Sequence, residues 1–440
     1  METRDEVAGD VVQRAMAVLG SLPAPESPEA CIDRLQLVEQ AARMLRGDQA
    51  LTTSRFVDYR HADEAALRIP TSQRCKGIEA EVGFARGESP YVGAALTHTA
   101  TALCTVLPHT LAALTEGRVS EFHARVVAQE TLHLSDAHRR AIDALIAHRL
   151  GKASTTQLRR LIQGHAYRLD RAAAEARAAE NTSRRRVCKD PAGDGLVYVT
   201  AELPSHQGAA VMETLTRLTN QRLDQGQAVD ADGTPLTRDQ VMTDLFVELL
   251  TGQTTANGVQ AEVIVVMHDT TLFGADDLPA WLPGDGPVPA GMITDWLADP
   301  AANIFLRRLY TRPTDGQLVA MDSRRRHFPK NLTKMLKIRD DVCATPWCNS
   351  PVQDADHRHP WAEGGPTSWE NATGLCKRCN QRKENRGWTY TGTVDELTVT
   401  TPTGHTYTVD TRPPLAELKH WNSDPPAPLG AIDIAWADAA

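Results

Sequence analysis

The sequence predicts a mainly α N-terminal region, a mixed α/β middle region and a small cysteine-stapled module near the C-terminus. Three observations predict this. Apolar residues recur at three- and four-residue spacing as far as about Glu180. Beyond Arg184 short strand-like runs alternate with helical ones. Two tight cysteine pairs then fall between positions 343 and 379.

The helical region, residues 1–182, shows its period in CIDRLQLVEQAARML and in SEFHARVVAQETLHLSDAHRRAIDALIAHRL. Ser135 stands where an N-cap belongs, and Gly151 closes that run. QLRRLIQGHAYRLDRAAAEARAAE predicts one long, largely exposed helix ending near Asn181. The most apolar stretch, AALTHTATALCTVLPHTLAAL, carries two histidines, a proline and several threonines, so it predicts a buried helix pair rather than a membrane span. The acidic opening METRDEVAGD has no apolar core behind it, which predicts no signal peptide and a cytoplasmic protein.

In the middle region, residues 183–322, RRRVCKDPAGDG reads as a loop and LVYVTAEL as a strand. A helix runs from Ser205 to about Leu223, DQGQAVDADGTP connects, and RDQVMTDLFVELL is a further helix. AEVIVVMH reads as a buried strand, and Asp315-Gly316 as the turn joining NIFLRRLYTR to QLVAMD. The module, residues 323–412, opens with the basic run SRRRHFPKNLTKMLKIRDD and closes with the β-rich WTYTGTVDELTVTTPTGHTYTVD. The Pro/Ala-rich tail, 413–440, is expected to be disordered.

At 440 residues the chain exceeds what one core usually serves. Its net charge of −9 argues against phosphate-binding groups along its whole length. Between Asp322 and Tyr390, however, thirteen Lys and Arg face eight Asp and Glu. A basic window in an acidic chain is the footprint of a nucleic-acid module, and equally of a solvated helical face. Of eight cysteines, Cys31, Cys75, Cys104 and Cys188 are scattered and read as small core residues. Cys343 and Cys348 are separated by four residues, Cys376 and Cys379 by two. Two such pairs around a long insert are the layout of a structural tetrathiolate Zn²⁺ site, which stabilises a fold and does no chemistry itself.

The insert contains DADHRHPWAEGG, with Asp356 against His357, and later Asn371; Asn380 follows Cys379 directly. On a helix begun by the second pair, Asn380 and Lys383 share a face. Asp356 and Asn380 offer hard oxygens suited to Mg²⁺ or a similar ion, and His357 an imidazole able to deprotonate water. Neighbouring residues of a strand point to opposite faces. Asp356 and His357 could therefore serve one site only through a local twist or across the strand edge.

Cys-x4-Cys, Asp356-His357, the Gly364-Gly365-Pro366-Thr367 turn, Asn371 and Leu375-Cys376-x2-Cys379-Asn380-x2-Lys383 together resemble the HNH endonuclease module, a ββα-metal fold. Asn380 stands where the third letter calls for histidine, which favours an oxygen-preferring metal. EGRVSEFHARVVA, VTAELPSHQGAAVMETL, GDGPVPAGMI and SRRRHFP further resemble the region that accompanies one HNH group, domain of unknown function 222 or the 13E12-repeat type.

The resemblance implies a metal-dependent endonuclease acting on DNA. His357 would be the general base, and Asp356 and Asn380 would hold one Mg²⁺ or Mn²⁺. Asn371 would sit in the loop before the helix and orient the loop that carries His357. Arg378, Arg382, Lys383 and Arg386 would neutralise backbone phosphates. His359 receives no assigned role. The alternatives are a zinc-stapled DNA-binding module that does not cut, and a nuclease directed at RNA. No membrane partner is expected, and self-association is one role open to the helical N-terminal region.

Overall fold

The computed structural model describes residues 4–230, 233–253, 264–267, 271, 278–298 and 327–411, which fall into two compact units. The first, up to Arg171, is helical throughout. It comprises α1 (Arg4–Gly20), α2 (Pro28–Ala66), α3 (Ile78–Ala85), α4 (Pro90–Val106), α5 (Pro108–Thr115), α6 (Glu121–Thr131), α7 (Asp136–Ile146) and α8 (Thr155–Leu169), with α9 (Arg171–Ser183) leading onward. Its core gathers Phe84, Leu103, Leu107, Leu114, Ile142, Ile146, Leu158 and Ile162, all essentially buried.

The expected buried helix pair is α4 and α5, parted at Leu107 because Pro108 restricts the residue before it and starts the next helix. Ser135 caps α7, its side chain accepting from the His138 amide, as its position predicts. Asp143, fully buried, accepts from the backbone amides of His109 (2.7 Å) and Thr110 (3.1 Å) and from the Thr110 hydroxyl (2.5 Å), so it caps α5 from α7.

The expected single long exposed helix is in fact α8 and α9, broken at Asp170, whose backbone leaves the helical region at φ -148° and ψ 82°. α8 turns Leu158, Ile162 and Ala166 inward, a stripe the basic residues around it obscure, whereas α9 buries nothing. The scattered cysteines are not core residues: Cys31 and Cys104 are exposed, and Cys75 and Cys188 half-buried.

In the second unit RRRVCKDPAGDG is not a loop. Strand β1 (Arg186–Gly193) pairs antiparallel with β2 (Leu196–Glu202) around Asp194-Gly195, both at positive φ. Pro191 made the segment read as a loop; a bulge between Pro191 and Gly193 accommodates it. Helices α10 (Ser205–Asp224) and α11 (Arg238–Thr251) follow as expected, the second opened by a capping box between Thr237 and Gln240. They pack on each other through Leu215, Val241 and Leu245.

Of AEVIVVMH only part is described, and there Val266 makes an isolated bridge to Trp281. Trp281 belongs to a small hairpin, β3 (Ala280–Leu282) with β4 (Gly286–Val288), which precedes α12 (Ala290–Ala298). The hairpin expected at Asp315-Gly316 and the tail at 413–440 lie outside the described residues.

The chain then forms α13 (Lys330–Asp340), the antiparallel pair β5 (Asp354–His357) and β6 (Ala372–Leu375), and α14 (Lys377–Lys383). A three-stranded meander follows: β7 (Thr389–Gly392), β8 (Glu396–Thr400) and β9 (Thr406–Asp410). α13 sends Leu332 and Leu336, four apart, onto Trp369 and Ala372, with Phe328 and Ala355 packed alongside. Arg339, one turn on, lies 4.6 Å over the Trp369 ring, donates to the carbonyl oxygens of Trp369 (3.2 Å) and Ala372 (2.8 Å), and pairs with Asp340. Asp340 in turn accepts from the Gly374 amide at 2.5 Å.

That contact explains Gly374. A Cβ there would stand 2.8 Å from the Asp340 carboxylate and 2.9 Å from a Val352 methyl. Gly374→Ala is expected to destabilise the second unit by about 1–3 kcal/mol through overpacking, read as a lower midpoint in denaturant. An unchanged midpoint would show that this packing yields freely.

Candidate active site

β5 alternates, and its two faces meet different helices. Ala355 and His357 face α13 and its core; Asp354 and Asp356 face α14. No local twist is needed to bring Asp356 and His357 into one site. They sit on opposite faces at the end of a strand, and His357 Nδ1 lies 4.0 Å from Asp356 Oδ1 around that end.

The His357 ring is buried, 6% exposed, and stands 4.5 Å from the Phe328 ring and 5.9 Å from the Trp361 indole. Its Nε2 shares a 2.8 Å hydrogen bond with the Thr367 hydroxyl. Asn371 lies just ahead of β6, one strand before the helix it was expected to precede. Its side chain ties the loop after His357 at both ends: Oδ1 accepts from the His359 amide (2.8 Å), and Nδ2 donates to the carbonyls of His359 (3.0 Å) and Pro366 (2.8 Å). The loop turns on Gly364, at φ 92°, and Gly365, where a Cβ would collide with the His359 carbonyl oxygen at 1.9 Å. This closure is why the Asp-His pair is followed by two glycines. Asn371 holds the backbone of His359, through its amide and its carbonyl.

α14 supplies the other wall. Lys383 is buried and donates to Asp356 Oδ2 at 2.7 Å and to the His357 carbonyl oxygen. Asn380 meets not Asp356 but Asp354, its Nδ2 donating to Asp354 Oδ2 at 3.1 Å. Asp354 is the residue that the sequence reading missed, although its spacing of two from Asp356 already placed both carboxylates on one strand face. Of the four cations expected at phosphates, Arg378 and Arg386 are exposed, Arg382 donates to the Cys379 sulfur at 3.5 Å, and Lys383 is taken inward by Asp356. On α13, Lys330, Lys334 and Lys337 form a further exposed basic stripe at helical spacing.

Behind α14 the sulfurs of Cys343, Cys348, Cys376 and Cys379 are buried within 4.8 Å of one another. Cys348 lies 3.9 Å from Cys376 and 3.7 Å from Cys379. Zinc bound to sulfur at about 2.3 Å sets tetrahedral sulfurs roughly 3.8 Å apart, so the residues fit the ion. Hydrogen bonding to Cys348 and burial push the Cys343 thiol up, while hydrogen bonding to Cys343 draws the Cys376 thiol down. A buried group of four sulfurs cannot shed all its protons alone, and a divalent cation removes that obstacle. The first knuckle closes through the Cys343 amide donating to the Ser350 carbonyl (2.8 Å) and the Cys348 amide donating to that of Thr345 (2.9 Å), with Trp347 at positive φ. Its Trp347 ring meets Tyr407 of β9 edge-on at 5.7 Å.

The model of an HNH endonuclease matches residues 343–386, and that of a domain of unknown function (DUF222) matches residues 32–340. The chain belongs to the DUF222 family. It carries an HNH endonuclease domain behind the DUF222 region, and that domain points to nuclease or nucleic-acid-binding activity. The HNH match takes in the four cysteines, β5, β6 and α14; α13, which packs on β5 and β6, ends the DUF222 match. No curated protein and no solved structure matches the chain. Among the described residues no helix is long and apolar enough to cross a membrane.

Proposed function

We propose that this DUF222 protein is a metal-dependent endonuclease that hydrolyses phosphodiester bonds in DNA, with residues 323–412 as its catalytic module. The observation that carries the reading is the meeting of His357 and Asp356 around the end of β5, base beside carboxylate, with the helix of Asn380 across from them. Asp356 and Asn380 would hold one Mg²⁺ or Mn²⁺. Both are partly exposed oxygen donors, a set that suits such an ion and leaves it open to a phosphate. When bound, the cation supplies charge stabilisation at the scissile phosphate and at the leaving 3′ oxygen.

The remaining work falls to the chain. His357 takes the proton of the attacking water on a ring nitrogen; the water oxygen bonds to phosphorus as the P–O3′ bond breaks, and the 3′ oxygen takes a proton from solvent, leaving a 5′-phosphate and a 3′-hydroxyl. Phe328, Trp361 and Thr367 hold the ring against rotation. Asn371 fixes the loop that follows it, and Lys383 anchors both Asp356 and the carbonyl of His357. Exposed Arg378 and Arg386, with the Lys330, Lys334 and Lys337 stripe, meet backbone phosphates without reading sequence. Zinc would staple the knuckles beneath α14.

One observation favours a second reading. Lys383 already neutralises Asp356, as a zinc-stapled binding module without a catalytic ion would require. Nicking of supercoiled plasmid by the purified chain with Mg²⁺, Mn²⁺ or EDTA decides between the two. Metal-dependent nicked circles are expected, and none with EDTA. Plasmid that is bound but never nicked by zinc-loaded protein would favour the binding module, and cleavage confined to a structured RNA run alongside would change the substrate.

A further inference from the structure

Asn380 presents a problem that the role proposed for it does not solve. A carboxamide has two ends of nearly the same shape: an oxygen that can bind a cation and an NH₂ that repels one. A metal-ligating asparagine therefore needs something to decide which end faces the ion. A histidine at this position would not need it in the same way.

The geometry points to Asp354 as the residue that orients Asn380, holding its NH₂ so that the carbonyl oxygen is presented to the metal. This rests on the proposed reading of Asn380 as a ligand. Asp354 and Asp356 are two apart on β5 and share the face that α14 covers, while Asn380 and Lys383 are three apart on α14 and share the face turned to β5. Two rungs result, Asp356 to Lys383 at 2.7 Å and Asp354 to Asn380 at 3.1 Å.

The second rung has only one chemically sound sense. An ionised carboxylate offers lone pairs and no proton, so only the NH₂ end of Asn380 can face Asp354 Oδ2. Turning the amide over would set oxygen against oxygen. With Nδ2 committed to Asp354, the carbonyl oxygen Oδ1 is the end left to present to a cation. Asp354 thus acts through Asn380 and is a positioning residue. Partners of this kind, behind the ligands themselves, typically govern metal affinity by about 10- to 100-fold.

The test is a double-mutant cycle read as Mn²⁺ affinity of the zinc-loaded full chain, by the free-Mn²⁺ electron paramagnetic resonance signal, with no DNA present. Asp354→Ala is expected to weaken Mn²⁺ binding about 10- to 100-fold while zinc content stays unchanged. Asp354→Asn keeps the shape but lets the Asn380 amide turn either way. It carries the same expected direction, and it serves should Asp354→Ala lose zinc.

A carboxylate at position 380 shows oxygen whichever way it turns, so it needs no orienting partner. In the Asn380→Asp background, removing Asp354 should therefore cost under about threefold, or even tighten binding by relieving repulsion between like charges. An equal loss in both backgrounds would mean that Asp354 acts by charge or as a direct ligand, and would overturn the inference. Asn380→Ala separates the two levels. If it weakens Mn²⁺ binding and Asp354→Ala does not, the orienting role falls and the ligand reading stands. If Asn380→Ala leaves Mn²⁺ binding intact, both fall.

Discussion

Replacing His357 with alanine is expected to cut metal-dependent plasmid nicking by at least about 100-fold, the lower end of what a positioned general base contributes. Lys383 cannot take the place of His357, being buried and already donating to Asp356. The fold should survive the change. The lost contacts include the hydrogen bond to Thr367, the approach to Asp356 and the ring contacts with Phe328 and Trp361, while the Leu332, Leu336, Trp369 and Ala372 core and the four cysteines are untouched. The expected pattern is thus normal zinc content, a modestly lowered midpoint and no nicking above background. A His357→Ala protein that nicks at the parent rate would remove the base assignment while leaving the HNH domain in place.

Much of this site was legible in the residues, and what was hidden had physical reasons. Cysteine spacing already suggested the staple, because two short-spaced pairs brought together can close a tetrahedron of sulfurs, and here all four lie within 4.8 Å of one another. Alternation along β5 was legible too. It left a local twist or the strand edge as the ways to bring Asp356 and His357 together, and at the end of the strand the two side chains approach to 4.0 Å without a twist. The same alternation already paired Asp354 with Asp356. Which helical residue each carboxylate meets, however, depends on how α14 lies across the strand, which no local pattern states.

Lys383 was misplaced for a related reason. Burial of a lysine depends on a tertiary carboxylate partner, so composition alone assigns it to the surface. The break between α8 and α9 at Asp170 escaped because the helix propensities on either side are alike. Only packing of Leu158, Ile162 and Ala166 distinguishes the two segments.

Cys376→Ser should have the largest effect on stability. A structural zinc site binds with an apparent free energy of about 10–16 kcal/mol near neutral pH, as much as the whole stability of many domains. Cys376 also follows β6 directly and stands at the N-cap of α14, whose first turn its carbonyl opens by accepting from the Asn380 amide at 3.0 Å. Loosening this position frees the helix that carries Asn380 and Lys383 from the strand that carries Asp354 and Asp356. The loss should therefore reach the proposed catalytic site as well as the staple.

Substoichiometric zinc is expected, together with loss of near-ultraviolet circular dichroism from buried Trp369 and Trp388 and rapid proteolysis between residues 343 and 411. The far-ultraviolet helical signal should largely persist, because the first unit packs around its own core of Leu103, Leu114, Ile142 and Ile162. Nicking should vanish along with the zinc. This separates the variant from His357→Ala, which should lose nicking with its zinc intact. A zinc-replete, normally folded Cys376→Ser protein would show that three sulfurs hold the knuckles, and the role of the fourth would have to be sought outside the metal.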